Sequence, residues 1–508
     1  MSSPPLPLAV RARRLSLDGV WEVQLEPGAA PQPILVPFTF ESELSGIGRG
    51  DEIHERLRYR RTFAVPEGWA GSHVLLHFAG VDWHAAVELD GRPVFEHAGG
   101  YAHFCVDLGA ISGEHELVVV VHDPADGPQP RGKQRGSGGI WYTRATGIWR
   151  PVWLEAAPPA HITRFELTPV LNGTVHARVE TSEPVDVELR IDGRRVSFRE
   201  QTTVRVGEPR LWSPEHPFLY DVELETASGD LVTTYVAFRS VEARGRDIVL
   251  NGERRFLCGV LDQAYWPDGV YTAPNDDALR ADVEAVKALG FDTARMHVKV
   301  ADPRWYGWCD RLGLLVVQDL PSPLRLSAPE ARDTLTRELD ELVGQLRGHP
   351  SVIAWVLINE DWGEPPEELQ RALVRRVRRA DPSRLVVDAS GWKQRGDSDV
   401  IDVHDYGDDL SAHESPAGLP LWVGECGGVS LVVAGEEDFA YKHVASGEEL
   451  AQEYARLTGT LGDVAGFVWT QLTDVEGELN GLLTHDRRPK APQEMIRAAN
   501  DRLRRSDT

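Results

Sequence analysis

Val352-Ile-Ala-Trp355-Val-Leu-Ile358-Asn359-Glu360-Asp361 is an unbroken apolar run that stops on an amide and two acids, and Leu421-Trp-Val-Gly-Glu425-Cys-Gly427 has the same form. Each apolar run reads as a buried strand. A carboxylate at that depth costs roughly several kcal/mol unless it is paired or hydrogen-bonded, so acids that end buried strands point to chemistry more than to stability. The run at 352–358 is one of a series: Phe256–Val260, Asp292–His297, Leu314–Gln318, Val352–Ile358, Leu385–Ala389, Val400–His404, Leu421–Glu425 and Gly466–Thr470. Amphipathic stretches such as Asp276–Leu289, Pro329–Arg347 and Glu448–Leu461 lie between them. Apolar runs alternating with helices over 247–508 predict βα units closing into a (β/α)8 barrel, whose usual length is ~250 residues.

Upstream the period changes. Residues 1–157 carry short alternating strands, among them Val74–Phe78, Ala86–Leu89 and Leu117–Val121, with Asp90-Gly91 as a hairpin turn. This spacing predicts a β-sandwich. The Pro-, Gly- and Arg-rich stretch 123–139 breaks the pattern and is expected to be a long exposed loop. After Pro158-Pro159, about seven further short strands over 158–246 predict a second, immunoglobulin-like sandwich.

Composition narrows the partners. The 508 residues carry a formal charge of −25, which disfavours nucleic acid and anionic membrane surfaces. No apolar run approaches the ~20 residues of a membrane span, and Met1 to Arg11 shows no basic leader followed by an apolar stretch. A cytoplasmic chain is expected, with a homo-oligomer allowed. Cys105, Cys258, Cys309 and Cys426 are too dispersed for a zinc pattern, so no metal and no cofactor is expected. Cys426 follows Glu425 but should face the other side of its strand, as a packing residue.

The active face of such a barrel is the carboxyl end of its strands. There the runs end in Arg295 and His297, Gln318 and Asp319, Asn359 and Glu360, His404 to Tyr406, Glu425, and Trp469. Any one of these could simply satisfy a loop or pack; together they converge on one cup. Two carboxylates on the fourth and seventh strands can flank a single bond. Retaining glycosidases hold such a pair about 5–5.5 Å apart, and inverting ones wider.

Asn359-Glu360, Gly424-Glu425, Arg295 and Trp469, with Gly147-Ile-Trp-Arg-Pro-Val-Trp-Leu-Glu155, Leu211-Trp-Ser-Pro-Glu-His-Pro-Phe-Leu-Tyr220 and Asn480-Gly-Leu-Leu-Thr-His-Asp-Arg-Arg-Pro-Lys490, resemble glycoside hydrolase family 2 over nearly the whole chain. The resemblance implies a sugar-binding-type jelly-roll sandwich, an immunoglobulin-like sandwich and a catalytic barrel. It implies Glu360 as acid/base, Glu425 as nucleophile, Asn359 on the sugar 2-hydroxyl, Arg295 and Tyr406 beside Glu425, and Trp469 as a stacking platform. Asp262, Gln263, Trp266, Trp392 and His404 are candidates for selecting the sugar, with His297 also in the substrate cup. Where glucuronidases of the family place Asn-x-Lys to hold a sugar carboxylate, this chain has Glu478-Leu-Asn480, which disfavours a uronic acid. The expectation is a retaining, exo-acting β-glycosidase acting on a small-molecule or oligosaccharide glycoside. The alternatives are a non-catalytic carbohydrate-binding protein and an endo-acting hydrolase. A loop after the seventh run, with Glu436, Glu437, Asp438 and Lys442, could narrow the pocket.

Overall fold

The computed structural model describes residues 3–322, 325–326, 328–415, 418–431 and 439–505. Glu436, Glu437 and Asp438 lie outside them. Eight parallel strands form one sheet: Leu257–Asp262, Thr293–Met296, Leu315–Asp319, Val352–Val356, Leu385–Val387, Ile401–Asp405, Leu421–Gly427 and Gly466–Thr470. Numbered along the chain, their spatial order is 5-4-3-2-1-8-7-6. The barrel is therefore nearly closed, with no ladder between strands five and six. At that seam the Gln394 side-chain amide donates to the carbonyls of both Ala389 and Asp402, each at 2.9 Å.

Helices follow strands one to four, seven and eight. The first, Asp276–Ala288, begins where Asn275 accepts a hydrogen bond from the Ala278 amide. The second, Pro303–Leu312, has proline in its first turn and stops at Gly313 in the left-handed conformation. Among the described residues, no α-helix separates strands five, six and seven. Side chains alternate along the strands: Cys258, Val260, Ala294 and Met296 pack outward on the helices, whereas Leu257, Leu315, Val317 and Val387 fill the barrel interior. A small antiparallel sheet (Val241–Arg244, Asp247–Leu250, Glu253–Arg254) closes the bottom with Ile248 and Leu250.

Two sandwiches precede the barrel. The first pairs a four-stranded with a six-stranded sheet around Trp21, Tyr59, Phe78 and Val119. Its Asp90-Gly91 hairpin takes positive φ at both turn residues, as a two-residue turn of this type requires. The second pairs three strands with four around Leu189, Val222 and Leu224.

The motifs outside the barrel turn out to join domains. Arg150 is fully buried and donates to Tyr101 O and Ala79 O of the first sandwich, and to Val300 O (2.6 Å) and Ala301 O (2.9 Å) of the barrel. Its guanidinium lies 3.9 Å from the centre of the Trp149 ring. Burial lowers the Arg150 pKa to about 10, so the group stays charged at neutral pH. Trp212 donates to Asp310 O at the bottom of the barrel.

Residues 123–139 form the exposed loop expected from their composition only in part: 135–139 are exposed, but the stretch before them is drawn in. Gln129, Arg131, Lys133 and Gln134 are buried, because the segment docks on the barrel mouth. The amides of Arg131 and Gly132 donate to Ser322 O, each at 3.2 Å. Gly132 has φ +58, and a Cβ there would stand 2.3 Å from Val298 O, so only glycine permits this approach.

Candidate active site

Glu425 sits within the seventh strand and is buried. One of its oxygens accepts from Arg295 Nη1 at 3.2 Å, and the other from the Tyr406 hydroxyl at 2.6 Å. Arg295 is itself saturated: it donates to both Asp319 oxygens, to Gly424 O (3.0 Å) and to Asn359 Oδ1 (2.8 Å). Burial would raise the Glu425 carboxyl, but the charges of His404 and Arg295 and the Tyr406 hydroxyl outweigh it and hold the group down to about 2. An anion fixed in this way is suited to nucleophilic attack. The Tyr406 ring stacks on Tyr441, with centroids 3.9 Å apart.

Glu360 lies past the end of the fourth strand, which stops at Val356. It has φ +46, and its amide donates to Ser390 O. Its Oε1 is 2.6 Å from His404 Nδ1, and the same nitrogen lies 3.5 Å from Glu425 Oε2. The Ser390 hydroxyl donates to Asp402 (2.8 Å), so it accepts from His404 Nε2 (2.7 Å). With Nε2 carrying a proton, the hydrogen bond between His404 Nδ1 and Glu360 holds the second, shared proton. Burial pulls the His404 imidazole down, but the Glu425 charge and the Glu360 bond raise it above its ordinary value.

Asn359 and His297 complete the floor. Asn359 Oδ1 is taken by Arg295, which turns the amide nitrogen into the available donor. His297 Nδ1 is 3.1 Å from Asp319 and 3.9 Å from Glu425. Burial holds this imidazole well below its ordinary range, with Glu425 opposing and the Lys133 and Arg295 charges adding to the depression. Trp392 stands at the rim, 49% exposed, with its ring edge-on to His404 at 5.7 Å.

Three expected contacts are placed elsewhere. Trp469 pairs in register with Val260, on the face turned to the helices. It is fully buried, 4.6 Å from the Tyr454 ring of helix Gly447–Thr458, so it offers no face to a sugar. Asp262 pairs with Met296 on that same outer face and accepts from the Ala264 amide. Burial, then the charge of Asp282 on the first helix, pushes its carboxyl up to about 6. Trp266 also leaves the cup, covered by the Arg487 guanidinium at 3.6 Å.

Sequence reasoning missed the wall supplied by the first sandwich. Trp141 lies 5.0 Å from Trp362, which is itself 6.1 Å from His297. The Tyr142 hydroxyl donates to Glu478 Oε2 at 2.5 Å, and the Thr143 amide donates to Glu476. The one available signal was the basic run Arg131-Gly-Lys133-Gln-Arg135 in an otherwise acidic chain. Two groups of described residues bring three metal-ligating atoms within 4.8 Å of one another: Glu360, His404 and Glu425 here, and His73, Asp107 and His161 where the sandwiches meet.

Three family profiles match in the order of the observed domains: "Glycosyl hydrolase 2 galactose-binding domain-like" over 51–148, "Glycosyl hydrolases family 2" over 160–239, and "Glycosyl hydrolases family 2, TIM barrel domain" over 241–407. The chain belongs to the glycoside hydrolases of family 2. A relative named beta-glucuronidase from Paenibacillus borealis is 25% identical, over 95% of this chain and 96% of that one. A putative beta-glucuronidase from Formosa agariphila is 28% identical over 61% of this chain, which covers only 40% of that protein's length. A beta-galactosidase from Thermoanaerobacter pseudethanolicus is 26% identical over 71% of this chain and 52% of its own length. In fold, the chain is similar to a beta-galacturonidase from Eisenbergiella tayi bound to galacturonate (TM-score 0.80, 20% identity, 99% of each chain). It is equally similar to the beta-glucuronidase of Ruminococcus gnavus (TM-score 0.80, 18% identity, 98% of this chain and 99% of that one). Among the described residues no helix is long and apolar enough to cross a membrane.

Proposed function

We propose that the chain is a retaining, exo-acting β-glycosidase that removes one terminal sugar by double displacement. The observation that carries this reading is the approach of Glu360 and Glu425 oxygens to within 4.8 Å across a single histidine. That proximity suits the closer, retaining spacing of about 5–5.5 Å between carboxyl groups. Glu425, held as an anion by Arg295 and Tyr406, attacks the anomeric carbon. Glu360 gives the proton it shares with His404 to the departing oxygen, and the bond to the aglycone breaks. Water then enters, Glu360 takes its proton, the oxygen attacks the anomeric carbon and Glu425 leaves as carboxylate. The Asn359 amide nitrogen is available for a hydroxyl of the sugar ring. Support for exo action comes from the mouth, where the Trp141–Trp362 contact and the docked 123–134 stretch wall one side; a barrier there favours a chain end over a chain running through. The names of the relatives span uronic and neutral sugars, so they leave the sugar open.

The test is turnover of 4-nitrophenyl glycosides by Glu425→Ala and Glu360→Ala, with azide added. Both variants should lose hydrolysis. Azide should restore it with an inverted glycosyl azide from Glu425→Ala and a retained one from Glu360→Ala. Turnover unchanged in either variant overturns the assignment.

A further inference from the structure

Lys133 reaches the cup from a different domain than the catalytic pair. Gly132 seats the backbone against Val298 O, and the next side chain runs under the Tyr142 ring, its Nζ 5.2 Å from the centroid. Only 6% of that side chain is exposed. A buried ammonium has three N–H donors to satisfy. The nearest acceptors are the Tyr142 hydroxyl at 3.5 Å and Glu478 Oε2 at 3.6 Å, both beyond the 2.7–3.2 Å range of a good N–H···O bond, a span of about half an ångström. Glu478, in contrast, is well satisfied by Tyr142 at 2.5 Å and by Asn480 Nδ2 at 3.0 Å. The acid that the sequence set against a sugar carboxylate is therefore already engaged, and the cation beside it is under-used.

The surrounding charge points the same way. Arg131, Lys133 and Arg135 fall within five residues of a chain whose formal charge is −25. Arg131 is buried, with Nη2 on Pro124 O, and Arg135 lies over the Trp141 ring at 4.5 Å. Lys133 lies against Tyr142, next in sequence to Trp141, whose neighbour Trp362 stands 6.1 Å from His297, and its charge adds to the depression of that imidazole. Concentrating positive charge at one rim of an acidic protein draws an anionic substrate to that rim.

We infer that Lys133 is the specificity-determining residue of the site and that it takes the carboxylate of a terminal uronic acid. This rests on the glycosidase reading above and adds the substrate class. The ammonium donates to the incoming carboxylate, and Glu478 holds the other side of the ammonium, fixing its position. A neutral sugar presents only a hydroxyl there, and so leaves the buried cation with a weaker partner.

The experiment compares kcat/KM for 4-nitrophenyl β-D-glucuronide and β-D-galacturonide with the matching glucoside and galactoside, in the native chain, Lys133→Met and Lys133→Arg. The native chain should favour a uronide. Lys133→Met should lower the uronide-to-neutral ratio about 100-fold, the scale expected when one member of a buried charge pair is lost, chiefly through KM. Lys133→Arg should recover most of that ratio. Thermal unfolding of each variant separates a lost contact from a lost fold. A native preference for the neutral sugars, or a ratio unmoved in Lys133→Met, overturns the inference; if that turnover still depends on Glu425, the glycosidase reading stands. If none of the four substrates is cleaved, the glycosidase reading is decided by a wider panel of 4-nitrophenyl glycosides, and falls if none is turned over. The inference is then decided by thermal-shift titration of native chain and Lys133→Met with glucuronate and glucose: uronate-selective, Lys133-dependent stabilisation upholds it, and equal responses overturn it.

Discussion

Tyr406→Phe isolates one hydrogen bond in the candidate site. The change removes the hydroxyl that donates to Glu425 at 2.6 Å and, more weakly, meets Thr470 at 3.2 Å. The ring and its stack on Tyr441 remain, so the fold should hold. A hydrogen bond to a charged acceptor contributes ~1.5–3 kcal/mol, which at 1.36 kcal/mol per tenfold is a factor of about 10–150 in rate. The direction follows from when Glu425 is charged. In the proposed double displacement it begins as a carboxylate, is neutralised while bonded to the sugar, and leaves as a carboxylate again. Losing the donor therefore penalises departure of Glu425 more than its attack. Deglycosylation should slow by about 10–100-fold, with kcat and KM falling together and kcat/KM changing by less than about threefold. A rapid-quench experiment with a 2,4-dinitrophenyl glycoside should show a burst that the native enzyme lacks. The pH dependence has a definite sign as well. Glu425 is depressed to about 2, so its contribution to stability and activity is present above the ordinary carboxylate range and lost as pH falls through that value. Without the Tyr406 donor the group should rise by roughly 1–2 pH units, and the acid limb of kcat/KM, which reports the free enzyme, should move upward with it. A variant with no burst, unchanged kcat and an unmoved acid limb would refute this account of Tyr406.

Two further outcomes test how the domains are joined. Arg150→Met leaves the carbonyls of Ala79, Tyr101, Val300 and Ala301 without their donor, and should cost ~3–5 kcal/mol of stability; calorimetry should show the first sandwich melting apart from the barrel, whereas an unchanged trace would mean that water replaces the guanidinium without loss. Gly132→Ala drives a Cβ to 2.3 Å from Val298 O at φ +58, so the 123–139 segment should lift; trypsin should then cut at Arg131, Lys133 and Arg135 several-fold faster than in the native chain, and equal rates would show that the segment is not held by this contact.

The barrel was legible because each strand is a run with a polar stop, and period alone distinguished it from the two sandwiches. The carboxylate pair and Arg295 were legible for the same reason: charges inside apolar strands are costly and therefore conspicuous. Trp469 and Asp262 show where that logic ends. Both occur at strand ends, as a site residue should, but facing inward or outward is decided by register, and only the pairing with Val260 and Met296 fixes it. Lys133 and Tyr142 were obscured by sequence distance: 336 positions separate Tyr142 from Glu478, and composition made their segment look solvated. Glu478 was seen, but the two side chains that adjoin it, Tyr142 and Lys133, come from another domain and were not legible beside it.

The open seam between strands five and six leads to a different kind of consequence. His404 and Asp402 lie on strand six, and Ser390 follows strand five, so the side chains beside Glu360 span the junction that lacks a backbone ladder. Under the proposed double displacement, each turnover would remove and then restore the Glu425 charge that His404 faces. Elsewhere in the barrel, a shift of one strand against its neighbour would break backbone hydrogen bonds. At the seam the links are fewer and run largely through side chains: the Gln394 amide, the Ser390 hydroxyl, Asp399 Oδ2 on the Val386 amide and the Ser398 hydroxyl on the Asp388 amide, beside one backbone bond from Asp399 N to Val386 O. On the proposed mechanism, the side chains that would handle the proton thus lie along the one junction of the eight-stranded sheet that has no backbone ladder, where side-chain hydrogen bonds can re-form as the charge changes.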